Sequence, residues 1–82
     1  MQSNMNNTYS IILPTFNEVG HIKNLIEDIY NIFFNQKLQF EIIVVDDGSN
    51  DGTIEKINKL KSSINNLYLI VRSNFKNSLV GS

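Results

Sequence analysis

The sequence predicts an α/β fold, a three-stranded parallel sheet built as βαβαβ. Two observations carry this prediction. Three short runs, Tyr9-Ser10-Ile11-Ile12-Leu13, Phe40-Glu41-Ile42-Ile43-Val44-Val45 and Leu67-Tyr68-Leu69-Ile70-Val71, are rich in β-branched and aromatic residues and nearly continuous in apolar ones. Such runs read as the strands of a sheet covered by helices. The segments between them carry apolar residues at helical spacing, and strands separated by helices of this length pair in parallel.

Each element follows in turn. Met1 to Thr8 is polar and lacks Lys and Arg, so residues 1–8 are expected to form a flexible N-terminal segment and not a secretory signal. The first strand ends at Pro14. Ile22, Leu25, Ile26, Ile29, Ile32 and Phe33 then form one apolar stripe, opposite Lys23, Asn24, Glu27 and Asp28, as in an amphipathic helix. The second strand runs into Asp46-Asp47. Ile54, Ile57, Leu60 and Ile64 mark a second helix, whose Glu55, Lys56, Lys59 and Lys61 read as a solvated face. The third strand ends at Arg72, and Asn74 to Ser82 reads as a loop.

Right-handed crossovers between strands laid side by side in order place both helices on one face. The other face would leave Ile11 or Ile12, Ile43 or Val44, and Leu69 or Ile70 in water, which a stable parallel sheet does not tolerate. Residues 9–82 are therefore expected to be the front part of a larger domain, whose further elements cover that face.

Composition narrows the function. Eighty-two residues make at most one domain, and the absence of cysteine excludes a disulfide or a thiolate metal site. Seven basic against eight acidic residues leave no large basic surface for nucleic acid. The longest apolar stretches fall far short of the roughly 20 residues that span a bilayer.

Ligands of parallel α/β sheets sit at the carboxyl ends of the strands. Three segments occupy that edge: Pro14-Thr15-Phe16-Asn17-Glu18, the run Asp46-Asp47-Gly48-Ser49-Asn50-Asp51-Gly52-Thr53, and Arg72-Ser73-Asn74-Phe75. Pro14 fixes the exit from the first strand, Thr15 offers a hydroxyl, and Phe16 an aromatic face for a planar ring. In a purely structural reading, Asn17 caps the first helix and Glu18 favours its positive end. Asp46 or Asp47 could likewise serve the following turn, with Asp51 capping the second helix. One aspartate suffices for the turn, however, and its neighbour points the opposite way, where it can accept an N–H from a nucleobase.

A calcium loop starting at Asp47 would place oxygen donors at the first, third and fifth positions, but Asn58 stands where the bidentate Glu belongs and a strand precedes it. A phosphoacceptor receiver would carry its acidic pair after the first strand, where this chain has Pro14-Thr15-Phe16. His21 reads as a surface or capping residue, with no Ser or Cys in a triad arrangement. Arg72 could meet a phosphate or form a salt bridge to Asp47 or Glu18.

Ile11-Ile12-Leu13-Pro14-Thr15-Phe16-Asn17-Glu18 resembles the opening strand and P-T-[YF]-N-E signature of family 2 glycosyltransferases, and Glu41 to Thr53 resembles their V-D-D-G-S-x-D-G-T loop. The resemblance extends over nearly the whole chain from Tyr9. It implies the Rossmann-like, nucleotide-binding front part of a GT-A fold. Within the family, the L-P-T-F-N-E form looks most like the polyprenyl- and dolichyl-phosphate mannose or glucose synthases.

By resemblance, Pro14, Thr15, Phe16 and Glu18 border the base and ribose of a GDP- or UDP-sugar, Asp47 contacts the base, and Asp46 is its neighbour in the same site. A polyprenyl or dolichyl phosphate is the leading acceptor, with polysaccharide or cell-surface glycan synthesis, or a non-catalytic nucleotide-binding module, as alternatives. The family's D-x-D motif, which holds Mg²⁺ or Mn²⁺, is expected beyond this chain, together with the catalytic residues and any membrane attachment. The 82-residue chain is therefore expected to be inactive alone. A cytoplasmic location, or the cytoplasmic face of a membrane, is implied in the same way. Ser78 stands where many members carry a glycine.

Overall fold

The computed structural model describes residues 8–72. The rest of the expected N-terminal segment, the Asn74 to Ser82 loop and the Ser73-Asn74-Phe75 part of the ligand edge lie outside the described residues. The elements are β1 (Thr8–Thr15), α1 (Ile22–Asn35), β2 (Gln39–Asp46), α2 (Thr53–Lys61) and β3 (Leu67–Val71). Both strand pairs are parallel and the order is β1-β2-β3, as expected for an α/β sheet. Thr8, assigned from sequence to the flexible segment, is the first residue of β1 and pairs with Gln39.

The central strand organises the core. Along β2, Phe40, Ile42, Val44 and Asp46 are buried, while Glu41, Ile43 and Val45 are only half-buried. This period of two sends the first set toward the helices. There Ile42 and Val44 meet Ile22 and Ile26 of α1, Ile57 and Leu60 of α2, and Leu67 of β3 in one cluster. Ile64, expected on the second helix, lies in the turn beyond it and is still buried in that cluster.

Helix α1 buries a narrower stripe than its sequence suggests. Ile22 and Ile26 are fully buried, and Ile29 and Phe33 pack partly against the core, but Leu25 and Ile32 are 40% and 55% exposed. At about 100° per residue the first four fall in one row, and Leu25 and Ile32 lie on its flank. The C-terminal turn of α1 closes the end of the sheet away from the ligand edge. There Phe40 packs against Phe33 and Tyr30, with ring centroids 5.3 and 5.5 Å apart. Lys37 adopts a left-handed conformation, and the N–H groups of Lys37 and Leu38 return to the carbonyls of Phe34 and Phe33. That is a Schellman stop formed without glycine.

The second face of the sheet carries Ile12, Pro14, Ile43, Val45, Tyr68 and Ile70, which the register places side by side. Ile12, Tyr68 and Ile70 are each about half exposed. Among the described residues no helix covers this face, as the strand order and handedness predict; Ile12 and Ile70 are exposed on it, Ile43 is half-buried, and Val44 lies on the covered side. No helix among the described residues is long and apolar enough to cross a membrane.

Truncating the centre of the core tests this packing. Ile42→Ala should lower unfolding free energy by about 2–5 kcal/mol in urea denaturation, whereas Ile12→Ala should cost under about 1 kcal/mol. Equal losses would contradict the assignment of the two faces.

Candidate functional site

The register sets Thr15, the last residue of β1, beside Asp46, the last of β2. Asp46 is fully buried and Thr15 nearly so. A carboxylate in such a place needs hydrogen-bond donors, and four groups supply them. Oδ1 accepts from the Thr15 hydroxyl at 2.7 Å and the Ser49 hydroxyl at 2.6 Å. Oδ2 accepts from the backbone N–H groups of Ser49 at 2.7 Å and Gly48 at 3.0 Å. Burial opposes ionisation of Asp46, but the Ser49 hydroxyl and N–H, the Thr15 hydroxyl and the Gly48 N–H outweigh it, so its pKa lies below the ordinary aspartate value. Gly48, at φ 89°, takes the left-handed conformation that lets the chain fold back over the carboxylate.

The two motif segments then close on each other through a row of further bonds. The Asp47 N–H donates to the Thr15 carbonyl at 3.1 Å, carrying the strand ladder one step past β2. The Asn17 N–H donates to Ser49 Oγ at 2.7 Å, and the Asn50 N–H returns to Asn17 Oδ1 at 2.9 Å. The Glu18 N–H meets Thr53 Oγ1 at 2.9 Å, and the Val19 N–H meets Asp51 Oδ2 at 3.3 Å. Gly52, at φ 101°, brings the second loop against this entrance, where an added Cβ would lie 3.5 Å from Val19 Cγ2.

Asn17 therefore does not cap α1, contrary to the structural reading of the sequence. His21 occupies that cap position without a side-chain bond. Asn17 stands at φ 52°, a left-handed conformation that Asn adopts more readily than most residues, and its side chain bridges the loops instead. Asp51 does serve α2. Its Oδ1 accepts from the Thr53 N–H and hydroxyl, across the cap residue Gly52. The Thr53 hydroxyl, opposed by partial desolvation and helped by the Val19 and Thr53 N–H groups, holds the Asp51 pKa below the ordinary value.

The predicted site residues thus separate into two sets. Thr15 and Asp46 are turned inward and engaged with each other and with the loop backbone. Pro14, Phe16, Glu18 and Asp47 are exposed at the edge. Phe16 is 55% exposed and pairs with no other aromatic ring among the described residues. Arg72 pairs with Asp47 and not Glu18: Nε and an Nη lie 2.9 and 2.8 Å from Asp47 Oδ1. Oδ2 of Asp47 has no protein partner among the described residues.

The calcium reading needs an entering helix where β2 stands, and Asp51 faces N–H groups, not a shared cavity. Sequence reasoning missed the linking roles of Asn17, Ser49 and Thr53. The available signal was the placement of Asp46 three residues before Ser49, and Asp51 two before Thr53, the spacings of local side-chain turns.

A parallel three-stranded sheet with two helices, its first two strand ends joined by interlocked polar loops, has the form of a Rossmann-like α/β front part. The family model for glycosyl transferase family 2 matches residues 10–79, and the chain belongs to that family. Among curated relatives, it is 40% identical over 60 residues to an uncharacterized glycosyltransferase, MG060, of Mycoplasma genitalium, covering 73% of this chain and 20% of that one. It is 35% identical over 68 residues to a dolichol-phosphate mannosyltransferase of Mycosarcoma maydis, covering 78% and 23%. It is also 35% identical over 57 residues to the poly(ribitol-phosphate) beta-N-acetylglucosaminyltransferase TarS of Staphylococcus aureus, covering 70% and 10%. The matched segment is thus a quarter or less of each of these relatives.

The Asp46 carboxylate gives a stability test with a definite sign. Because its folded pKa is depressed, its contribution is present above the unfolded value of about 3.9 and is lost as pH falls through the folded value. Asp46→Asn should cost about 1–3 kcal/mol at pH 7, and the fall in stability below about pH 4 should be shallower in the variant. Urea denaturation at pH 7 and pH 3 reads both. An unchanged acid limb would remove the role given to Asp46.

Proposed function

We propose that this chain carries the base-recognition part of a nucleotide-sugar site, and that the whole protein transfers a sugar from a GDP- or UDP-sugar. One observation supports this above the rest. The interlocked loops consume Thr15, Asn17, Asp46, Ser49, Asp51 and Thr53 internally, yet leave Phe16, Glu18 and Asp47 outward on the same sheet edge. Phe16 supplies a face for a planar base. Asp47 Oδ2 supplies an acceptor for the imide N–H of uracil or the ring N–H of guanine, while Arg72 holds Oδ1. Glu18 and Pro14 border the ribose side.

In the whole protein, an acceptor oxygen attacks the anomeric carbon and the bond to the nucleoside diphosphate breaks. A polyprenyl or dolichyl phosphate is the leading acceptor, supported by the mannosyltransferase relative. Such an acceptor would place the protein at a membrane face, on the cytoplasmic side where nucleotide sugars are supplied. A second reading, transfer to a glycan or polymer, is supported by the likeness to TarS.

The family's Mg²⁺ or Mn²⁺ finds no ligand set among the described residues, where no three His, Cys, Asp or Glu side chains gather. Both oxygens of Asp46 already accept from Thr15 and from its own loop, and Asp51 accepts from Thr53 and Val19. No step is assigned to a metal or to a catalytic group of this chain.

Calorimetric titration of the chain with UDP and GDP is the test. One nucleotide should bind in preference to the other, and Asp47→Ala or Phe16→Ala should weaken it at least about tenfold, or about 1.4 kcal/mol. Equal binding by wild type and Asp47→Ala would refute base recognition by Asp47.

A further inference from the structure

The helical side of the molecule carries a cavity with a different chemistry from the sheet edge. It has a volume of about 360 Å³ and is lined by Lys23 of α1, Lys56, Lys59 and Leu60 of α2, and Ser63 in the turn that follows. Three of the chain's seven basic residues line this one cavity, although the net charge is −1. Lys23 lies 3.7 Å from Glu27, an exposed pair one helical turn apart, and such pairs contribute little. The one other ion pair among the described residues joins Arg72 to Asp47, so no carboxylate of the described residues lies within ion-pair distance of Lys56 or Lys59.

Lysine side chains from two helices border one cavity, and an anion held between their charged ends would be attracted by each of them. Leu60, which is 8% exposed, also lines it, and the carbon stems of the lysines can pack along a ligand while their charged heads meet it. Ser63 adds a hydroxyl. The volume is near the lower end for small-molecule sites. Lysine is a point-charge partner well suited to phosphate.

We propose that the groove between α1 and α2 binds a small phosphate ester or diphosphate, with Lys23, Lys56 and Lys59 as its cationic partners. This site is separate from the base-recognition edge and does not depend on it. The same phosphate chemistry could be presented free in solution or on a lipid headgroup, and the test separates the two.

The intact 82-residue chain is titrated with sodium pyrophosphate at low ionic strength, followed by calorimetry and amide chemical shifts, with circular dichroism confirming the fold of each variant. The expected result is saturable binding, shifts centred on residues 56–63, at least a tenfold loss in the Lys56→Gln/Lys59→Gln double variant, and retention in Lys56→Arg and in Asp47→Ala. Non-saturable binding, equal affinity in the double variant, or shifts centred on the Asp46 to Thr53 loop would overturn the proposal. In a parallel arm, vesicles of phosphatidylglycerol and of phosphatidylcholine are sedimented with the protein. Pyrophosphate binding without vesicle capture assigns the groove to a free phosphate, and capture by phosphatidylglycerol vesicles that pyrophosphate competes away assigns it to a headgroup. Capture that pyrophosphate does not compete for would overturn a built phosphate site.

Discussion

The carboxyl edge of the sheet depends on a single constraint: a carboxylate buried at the end of the central strand must be given donors. Asp46 has no exposed surface, and its two oxygens are met by Thr15 from the neighbouring strand and by Ser49 and Gly48 from its own loop. Satisfying that group joins β1 to β2 at their ends and bends the second loop back over the sheet. Once the loop is bent, the Asn17, Glu18 and Val19 N–H groups come into reach of Ser49, Thr53 and Asp51. The entrance to α1 and the entrance to α2 are thereby set by the same carboxylate.

The alternation of a strand then divides the labour between adjacent residues. Asp46 points in and Asp47 points out; Thr15 points in, and Phe16 follows it into solvent. Adjacent members of one motif consequently sit differently, one holding the loop and the next exposed at the sheet edge. Arg72, arriving from β3 with its N–H on the Asp46 carbonyl and its guanidinium on Asp47, ties the third strand to both. Family membership is consistent with this division, since the matched residues 10–79 include both motif segments and all but the first residues of β1.

Much of this was legible in the sequence because strand and helix periods are strong signals in so short a chain. The three apolar runs became β1, β2 and β3, and the spacing of Ile22, Ile26, Ile57 and Leu60 found the buried helix faces. The bare second face also followed from strand order and handedness, and Ile12 and Ile70 occupy it. What period alone cannot give is the width of a helix's buried stripe, which depends on what lies across from it; Leu25 and Ile32 were misplaced for that reason. At the site, residue types identified the edge but not the partners. Asn17 looked like a helix cap because it precedes a helix, yet its left-handed backbone and its bond to Asn50 depend on a loop 33 residues away. Long-range pairing of polar side chains leaves no periodic trace. Thr15 and Asp46 are expected from sequence at a ligand site; the structure places both inward and bonded to each other, a pairing that residue type alone does not reveal.

The most direct measurement is amide hydrogen exchange, residue by residue, in wild type and in Asp46→Asn. If the two motif segments are one hydrogen-bonded unit hung on the Asp46 carboxylate, the variant should accelerate exchange at Asn17, Glu18 and Asn50 together with Gly48 and Ser49. Faster exchange confined to Gly48 and Ser49, with Asn17, Glu18 and Asn50 unchanged, would show that the loops hold their shape independently and would contradict the central role of Asp46.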